Sequence, residues 1–133
     1  MSKPRLSPER GMCHSGGDLR VHGLLQALLL LRVHEGPRHG YALFKAIRAE
    51  LPQEMVPDVA VVYRMLRDLE KCGHLRSRLL PGEGGPARKV YTLTPSGERL
   101  LAEWYTAIRT RRAALDRFLA SYEQAGLEEE VDR

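Results

Sequence analysis

The chain has few of the features that mark membrane, secreted or disulfide-rich proteins. Its 133 residues include two cysteines, Cys13 and Cys72, which are too few for a disulfide framework and which we expect to stay reduced. The apolar run 24–31 is interrupted by Gln26 and is much shorter than the roughly 20 residues of a membrane span. Residues 1–17 lack the apolar segment of a signal peptide. The sequence therefore predicts a cytoplasmic protein without a membrane partner.

The recognisable parts of a catalytic site are missing as well. The sequence contains no paired carboxylates and no nucleophile elbow. The glycine-rich stretch 82–86 lacks the Lys-Ser/Thr ending and the following helix that a phosphate-binding loop requires. A deep catalytic cleft would also be hard to fit into 133 residues. We therefore predict a protein that is not an enzyme and that needs no cofactor.

Two helices are predicted in the first half of the chain. Asp18 can cap the first, and its apolar residues between positions 21 and 31 cover most of its circumference, as in a buried core helix. Gly36 and Pro37 end this pattern. Residues 41–51 then describe a second, amphipathic helix that ends before Pro52.

The third predicted helix has an apolar face and a basic face. Asp58 is a suitable N-cap, and Gly73 follows the last helical residue, Cys72, as a C′ glycine. The apolar face repeats at i, i+4 and i+7 and should meet the core: Val62, Leu66 and Leu69. A second face has the same spacing: Ala60, Arg64, Arg67 and Lys71. This basic face is either a solvated surface or a surface that meets phosphate.

A basic hairpin is predicted after the third helix. Residues 75–79 and 89–93 alternate apolar and polar side chains, and the loop between them contains three glycines. Arg88 and Lys89 lie where the return strand leaves the loop. The predicted fold is therefore mainly α with a small β-hairpin, a winged helix-turn-helix of order α-α-α-β-β. In this fold the third helix enters the major groove and the hairpin touches the flanking backbone.

Charge is distributed unevenly along the chain. Residues 1–93 carry 15 Lys and Arg against 9 Asp and Glu, a net charge of +6, whereas residues 94–133 carry 6 against 8, a net charge of −2. The excess of positive charge lies in the segment with the hairpin, as expected of a domain that binds duplex DNA. The predicted units are a flexible extension (1–17), the winged helix (18–93), a dimerisation helix (94–124) and a disordered acidic tail (125–133).

The last helix carries an apolar seam. Thr94 is a good N-cap and Pro95 suits the first helical position. Residues then alternate at spacings of three and four, with Arg111 as the misfit: Leu101, Trp104, Ile108, Arg111, Leu115, Phe118 and Tyr122. A helix of roughly 28 residues extends about 42 Å, beyond a domain of this size, so the seam predicts a homodimer on an inverted repeat. The alternative is that the seam packs on the chain's own first helix.

Three segments of the sequence, taken together, resemble the motifs of a known protein family. They are residues 35–43 (EGPRHGYAL), Val62-Tyr63 with Leu66, Leu69, Glu70 and Gly73, and residues 82–97 (GEGGPARKVYTLTPSG). In this order they resemble the turn into the second helix, the recognition helix, and the wing of the PadR-like transcriptional regulators. The resemblance covers about residues 19–122, and the wing motif is the most specific of the three.

The resemblance implies a dimeric DNA-binding repressor whose C-terminal helix clasps its partner. Some family members are released from DNA by a small aromatic or other hydrophobic effector. By position, Tyr63 and its neighbours would approach the DNA, Tyr41 would lie near the backbone, and Arg88 and Lys89 would serve the wing. The sequence departs from the family pattern around Val62-Tyr63, where Asp58-Val59-Ala60-Val61 precedes the pair and Arg64 follows it, so its operator is expected to differ.

The expected contacts divide by chemistry. The planar guanidinium of Arg64 suits O6 and N7 of guanine. Lys71, Arg88 and Lys89 are better placed for phosphate, which sets register without reading sequence. The full predicted DNA-binding set is Tyr41, Ala60, Tyr63, Arg64, Arg67, Lys71, Arg88 and Lys89.

Three other interpretations stay open at this point. Cys13, His14, His22, Cys72 and His74 supply nitrogen and sulfur ligands for a metal-responsive or redox-responsive repressor, although their spacing matches no known ligand pattern. Trp104 is either an anchor of the dimer seam or a wall of an effector pocket. Finally, the chain could be a winged-helix protein-interaction module whose basic face is incidental.

Overall fold

The computed structural model describes residues 21–82 and 84–127 and contains four helices and three strands in this part of the chain. The helices are α1 (Val21–His34), α2 (Gly40–Glu50), α3 (Val59–Lys71) and α4 (Pro95–Gln124). The strands are β1 (Arg38–His39), β2 (Leu75–Leu80) and β3 (Arg88–Leu93), and a short 3-10 turn spans Gln53–Met55. The predicted winged-helix order, mainly helical with a long C-terminal helix, is confirmed. None of these helices has the length and apolar character that a membrane crossing requires.

The core lies between α1 and the surrounding elements because each helix buries its apolar stripe against it. The buried set includes Leu25, Leu29 and Leu30 of α1, Leu43 and Ile47 of α2, Val62, Leu66 and Leu69 of α3, and Leu75 and Tyr91 of the hairpin. Burying a leucine-sized side chain stabilises a fold by about 1.5–3 kcal/mol. Because the predicted inner face of α3 is the one that is buried, its basic face points outward.

The sheet has one strand more than the sequence predicts. Its order is β1-β3-β2, with antiparallel pairing throughout, and β1 places Arg38 opposite Tyr91 and His39 opposite Val90. A two-residue strand is too short to show alternation, which is why the pattern does not reveal it. Its effect is to join the start of α2 directly to the return strand of the wing.

Thr94 fixes the direction in which α4 leaves the hairpin. Its Oγ accepts a hydrogen bond from the Gly97 N–H at 3.0 Å and donates one to the Gly73 carbonyl at 2.7 Å. A Cβ at Gly97 would overlap the His74 carbonyl, so glycine is required for this close approach. The predicted cap at Thr94 is confirmed. Asp58 is also at the predicted N-cap position, but its side chain makes no capping hydrogen bond.

The seam of α4 divides into two parts. Leu100 and Trp104 are buried against the chain's own core, and the Trp104 indole Nε1 donates to Gln26 Oε1 at 2.8 Å. Leu101 and Ile108 pack beside them. Leu101, Trp104 and Ile108 therefore meet the chain's own core, as in the alternative interpretation of the seam, and their part in a dimer stays a prediction.

The outer part of α4 extends away from this core. Every residue from 109 to 121 is exposed, including Leu115 at 60%, Phe118 at 63% and Leu119 at 52%. The helix has 30 residues, which corresponds to about 45 Å. Tyr122 donates from its hydroxyl to the Leu127 carbonyl at 3.3 Å near the helix end. The predicted extension 1–17 and residues 128–133 of the predicted acidic tail lie outside the described residues.

Candidate nucleic-acid interface

The outward face of α3 carries the predicted basic stripe. Ala60, Arg64, Arg67 and Lys71 are all exposed. The opposite face, with Val62, Leu66 and Leu69, is fully buried. Amphipathic spacing therefore fixes the orientation of the stripe.

A shallow cavity, here called the basic depression, lies beside this stripe. It measures about 520 Å³, and its lining comes from the start of α2, the side of α3 and β3: His39, Gly40, Tyr41, Tyr63, Arg67, Arg88, Lys89 and Tyr91. Five of the eight sequence-predicted DNA-binding residues meet here, whereas Ala60, Arg64 and Lys71 lie elsewhere on α3. The lining includes two arginines and a lysine but no carboxylate, so the depression favours an anion.

Tyr63 is held at the mouth of the depression by Gly40. A Cβ at Gly40 would overlap the Tyr63 ring, so glycine leaves the space that the ring occupies beside the first turn of α2. The Tyr63 side chain stays 38% exposed and that of Tyr41 48% exposed. At the base of the depression, burial raises the pKa of Tyr91, which therefore remains a neutral phenol. The arrangement presents two phenol groups beside the cations.

Lys89 is partly engaged by an acid of α3. Its Nζ lies 3.3 Å from Glu70 Oε1, and the Ser77 hydroxyl donates to Glu70 Oε2 at 2.5 Å. Glu70 therefore connects α3 to both strands of the hairpin. The ion pair is half-exposed, and such pairs contribute about 0–1 kcal/mol, so phosphate can compete for Lys89. Glu70 was noted in the sequence only through the family resemblance.

His39 has two polar contacts in this region. As N-cap of α2, its Nδ1 accepts from the Ala42 N–H at 3.2 Å. Its Nε2 lies 2.9 Å from Arg88 Nη1. Burial and then the charges of Arg88 and Lys45 lower the pKa of His39, so the ring is neutral near pH 7. His39 is not among the site residues predicted from the sequence, because histidine is not a preferred N-cap and Arg88 lies 49 positions away.

Further cations extend the positive surface beyond the predicted set. Lys45 of α2 lies 5.8 Å from the centre of the Tyr41 ring, one turn beyond the depression. Arg76 and Arg78 are exposed on β2. The spacing of Tyr41 and Lys45 on the second helix was the signal that could have identified Lys45.

An apolar groove lies along the junction between α1 and the first turns of α4, up to Ile108. It measures about 460 Å³ and is lined by Leu24, Ala27, Leu28, Leu31, His34, Glu98, Leu101, Ala102, Trp104, Tyr105 and Ile108. Trp104 is only 3% exposed and forms part of one wall. Both sequence interpretations of Trp104, as an anchor and as a pocket wall, concern this groove.

The residues of the metal and redox alternative are only partly within the described chain. Cys13, His14 and the side chain of His22 lie outside it. Within the described part, His, Cys, Asp and Glu side chains nowhere gather in threes to hold a metal. The His74 Nδ1 contacts Ser96 Oγ at 2.6 Å. Cys72 is the C-cap residue of α3, and its backbone N–H donates to the Asp68 carbonyl at 2.9 Å.

Solved structures with the same fold come from several bacteria. A PadR-family transcriptional regulator from Eggerthella lenta is 28% identical with a TM-score of 0.63, and the match covers 74% of this chain and 84% of that one. A protein from Streptococcus mutans is 25% identical with a TM-score of 0.65, covering 76% and 90%. A PadR-like transcriptional regulator from Bacillus cereus, 20% identical, shares the fold with a TM-score of 0.65, covering 74% and 94%.

Sequence comparison agrees with the structural neighbours. Among curated proteins, none is similar enough to count as a match. The family model described as "Transcriptional regulator PadR-like family" matches residues 28–103, which is more than half of the chain. The matched segment includes α2, α3, the wing and the first turns of α4. The chain therefore belongs to the PadR-like family of transcriptional regulators, which are DNA-binding proteins and not enzymes.

Proposed function

We propose that the protein is a repressor that binds an inverted-repeat operator as a homodimer, with α3 in the major groove and the hairpin against the flanking backbone. The observation that carries this proposal is the basic depression, where side chains of α2, α3 and β3 meet around one cavity. Cations converge there without a carboxylate in the lining, which suits a phosphate backbone. A cytoplasmic location and the unit boundaries at residues 18, 94 and 125 stay predictions.

Contacts to DNA divide into base contacts and phosphate contacts. Arg64 is the proposed base reader, because it is exposed on the outer face of α3 and its guanidinium matches the guanine edge. Ala60, one turn earlier, brings a small methyl group to the same face, where it fits a thymine methyl group. The remaining predicted residues are proposed as phosphate contacts: Tyr41, Tyr63, Arg67, Lys71, Arg88 and Lys89.

Two single substitutions test this division. Arg64→Ala should cost about 1–3 kcal/mol on the operator and relax the preference at one base pair. Lys71→Ala, the matched control on the same helix face, should weaken binding to all sequences and reduce the salt slope by about one unit. Binding of both variants would be measured by fluorescence anisotropy on the operator and on single-base variants of it. Equal losses for Arg64→Ala on every sequence would exclude base reading by Arg64.

A second copy of the chain is the proposed partner of α4. Leu115, Phe118 and Leu119 project from a part of the helix that extends past the chain's own core. The apolar groove between α1 and α4 offers a surface of matching chemistry. In a two-fold dimer, the outer part of each α4 would lie along the partner's groove, and each chain would contribute both surfaces.

The apolar groove is also the proposed effector site. A small hydrophobic or aromatic compound would lie against Trp104, whose indole is already positioned by Gln26. Trp104 is the single tryptophan of the chain, so its fluorescence reports on this groove directly. Quenching by aromatic compounds, together with loss of duplex binding, is the expected result. Quenching without any change in duplex binding would exclude a regulatory role of the groove.

The size of the protein with and without DNA tests the whole proposal. Sedimentation should give a dimer alone, and a dimer on one duplex in the presence of an inverted-repeat operator obtained by genomic footprinting. The repressor role is tested by deleting the gene and measuring transcription beside the footprints, which should rise. A monomer that leaves all duplexes unshifted at near-physiological salt would contradict the proposal.

A further inference from the structure

The two contacts of His39 are incompatible with each other in a neutral ring. A neutral imidazole has one nitrogen that donates and one that accepts. Because the Ala42 N–H is a donor, Nδ1 must be the acceptor, and the proton must be on Nε2. Arg88 is also only a donor, and its Nη1 lies 2.9 Å from that nitrogen. Two N–H groups therefore face each other beside the basic depression.

The group that would satisfy both donors is an anionic oxygen. The lining of the depression supplies donors and cations but no carboxylate. His39 precedes the first turn of α2, an 11-residue helix whose dipole also favours negative charge at this end. An oxygen between His39 and Arg88 would accept from both and would leave the cap to Ala42 unchanged.

We propose that the basic depression binds one phosphodiester group of the DNA backbone and that His39 is a ligand of this phosphate, with its Nε2–H and the Arg88 guanidinium donating to the same group. This inference rests on the proposed DNA binding and adds a residue and a defined site to it. Tyr41 and Tyr63 border the same space. A single phosphate thus takes donors from the start of α2 and from β3, and it fixes the wing relative to α2.

Two substitutions distinguish the roles of the two ring nitrogens of His39. In His39→Asn, the side-chain oxygen occupies the position of Nδ1 and keeps the cap, but nothing reaches the position of Nε2. In His39→Gln, the longer amide can donate from near the position of Nε2, but the cap is lost. We expect His39→Asn to keep its melting temperature and to bind mixed-sequence duplex about tenfold more weakly. His39→Gln should melt earlier and bind within about threefold of the wild type.

The salt dependence of binding distinguishes a neutral phosphate ligand, as proposed for His39, from a cationic one. Because neutral His39 releases no counterion, His39→Asn should keep the salt slope of the wild type, whereas Arg88→Ala should reduce it by about one unit. Wild-type duplex binding that His39→Asn leaves unchanged would overturn the assignment of His39 and leave the proposed DNA binding intact. A wild type that fails to bind any duplex would overturn both.

The tautomer can be read on the wild-type protein without any substitution. In spectra of the ¹⁵N-histidine-labelled protein, identified by comparison with His39→Asn, Nε2 should carry the proton in the free protein and in the complex with sheared duplex DNA. The Nε2–H resonance should shift on binding. A bare Nε2 in the complex would show that the ring accepts from Arg88 and would overturn the proposal.

Discussion

Glu70 is an acidic residue on a helix that is proposed to meet DNA. Its carboxylate accepts from Ser77 and pairs with Lys89, so it connects α3 to both strands of the wing. The same contacts place a negative charge close to the proposed phosphate site. Glu70 therefore has two opposing effects, because it holds the wing in position and neutralises part of the charge of Lys89.

The substitution Glu70→Gln separates these effects. The amide oxygen still accepts from Ser77, while Lys89 loses its counter-ion. We expect duplex binding to tighten and the salt slope to steepen by up to about one unit, because Lys89 becomes free for phosphate. Stability should change by about 1 kcal/mol or less, since the pair is half-exposed. Glu103→Gln, an equal charge change on an exposed position of α4, is the control. Identical binding by the two variants would exclude a local role of Glu70.

Two histidines give the folded protein a defined pH response. Burial is the largest cause that lowers the pKa of both His39 and His74 below the ordinary 6.5. The unfolded chain therefore takes up these protons first as the pH falls. Stability should be lost as the pH falls through 6.5, and this loss should level off below the folded pKa values.

Urea unfolding at a series of pH values checks this response. The midpoint should decrease from about pH 7.5 to about pH 5. His74→Asn should show a smaller decrease, because one of the two shifted groups is removed. A midpoint that is flat or that rises as the pH falls through 6.5 would contradict the sign.

At the scale of elements, α4 lies in two different environments along its length. Its first turns are part of the core through Leu100 and Trp104, while residues 109–121 are exposed. Exposed leucine and phenylalanine side chains on one helix face are costly to leave in water and mark an interaction surface. The outer part is therefore the segment whose substitution should affect assembly without affecting the fold.

Phe118→Ala should weaken the proposed dimer and leave the monomer fold intact. A buried aromatic anchor at an interface contributes about 2 kcal/mol or more, which corresponds to roughly a thirtyfold weaker dimer. Arg117→Ala truncates the neighbouring residue on the opposite side of the helix and should leave association unchanged. Sedimentation over a range of concentrations measures both, with circular dichroism to confirm helicity. Equal association of the two variants would place the interface elsewhere.

Elements that are specified by neighbouring residues were predicted better than elements that depend on residues far apart in the sequence. The boundaries of α3 and the start of α4 follow from local caps and spacing, so Gly73 and Thr94 mark them in the sequence. The strand β1 exists because Arg38 and His39 pair with a distant strand, and no local pattern records that pairing. The basic stripe of α3 was predicted by the same spacing that builds the helix. The basic depression was not, because it requires His39, Tyr63 and Arg88 to be brought together by the fold.

At the scale of the whole molecule, charge and shape are divided along the chain. The net charge of residues 1–93 is +6 and that of residues 94–133 is −2, so the excess of positive charge lies in the part of the chain that precedes α4. Attraction to DNA therefore acts mainly on the part with α3 and the wing, and α4 is available for the proposed partner. A two-fold axis near the α4 helices would place the two copies of α3 against successive major grooves, about 34 Å apart.

The spacing of the half-sites in the operator tests this geometry. Inserting about 5 base pairs, half a helical turn, should reduce the affinity towards that of a single half-site, because a rigid dimer can then present only one α3 to its groove. Inserting a full turn of about 10 base pairs returns the two half-sites to the same side of the duplex but leaves them farther apart. This duplex therefore shows whether the loss of affinity comes from the rotation of the half-sites or from the distance between them. Phe118→Ala, which is expected to be monomeric at low concentration, should bind all three duplexes alike. An affinity of the wild type that does not depend on the spacing would show that the two copies of α3 are not held by a fixed dimer, and α4 would then have a different partner.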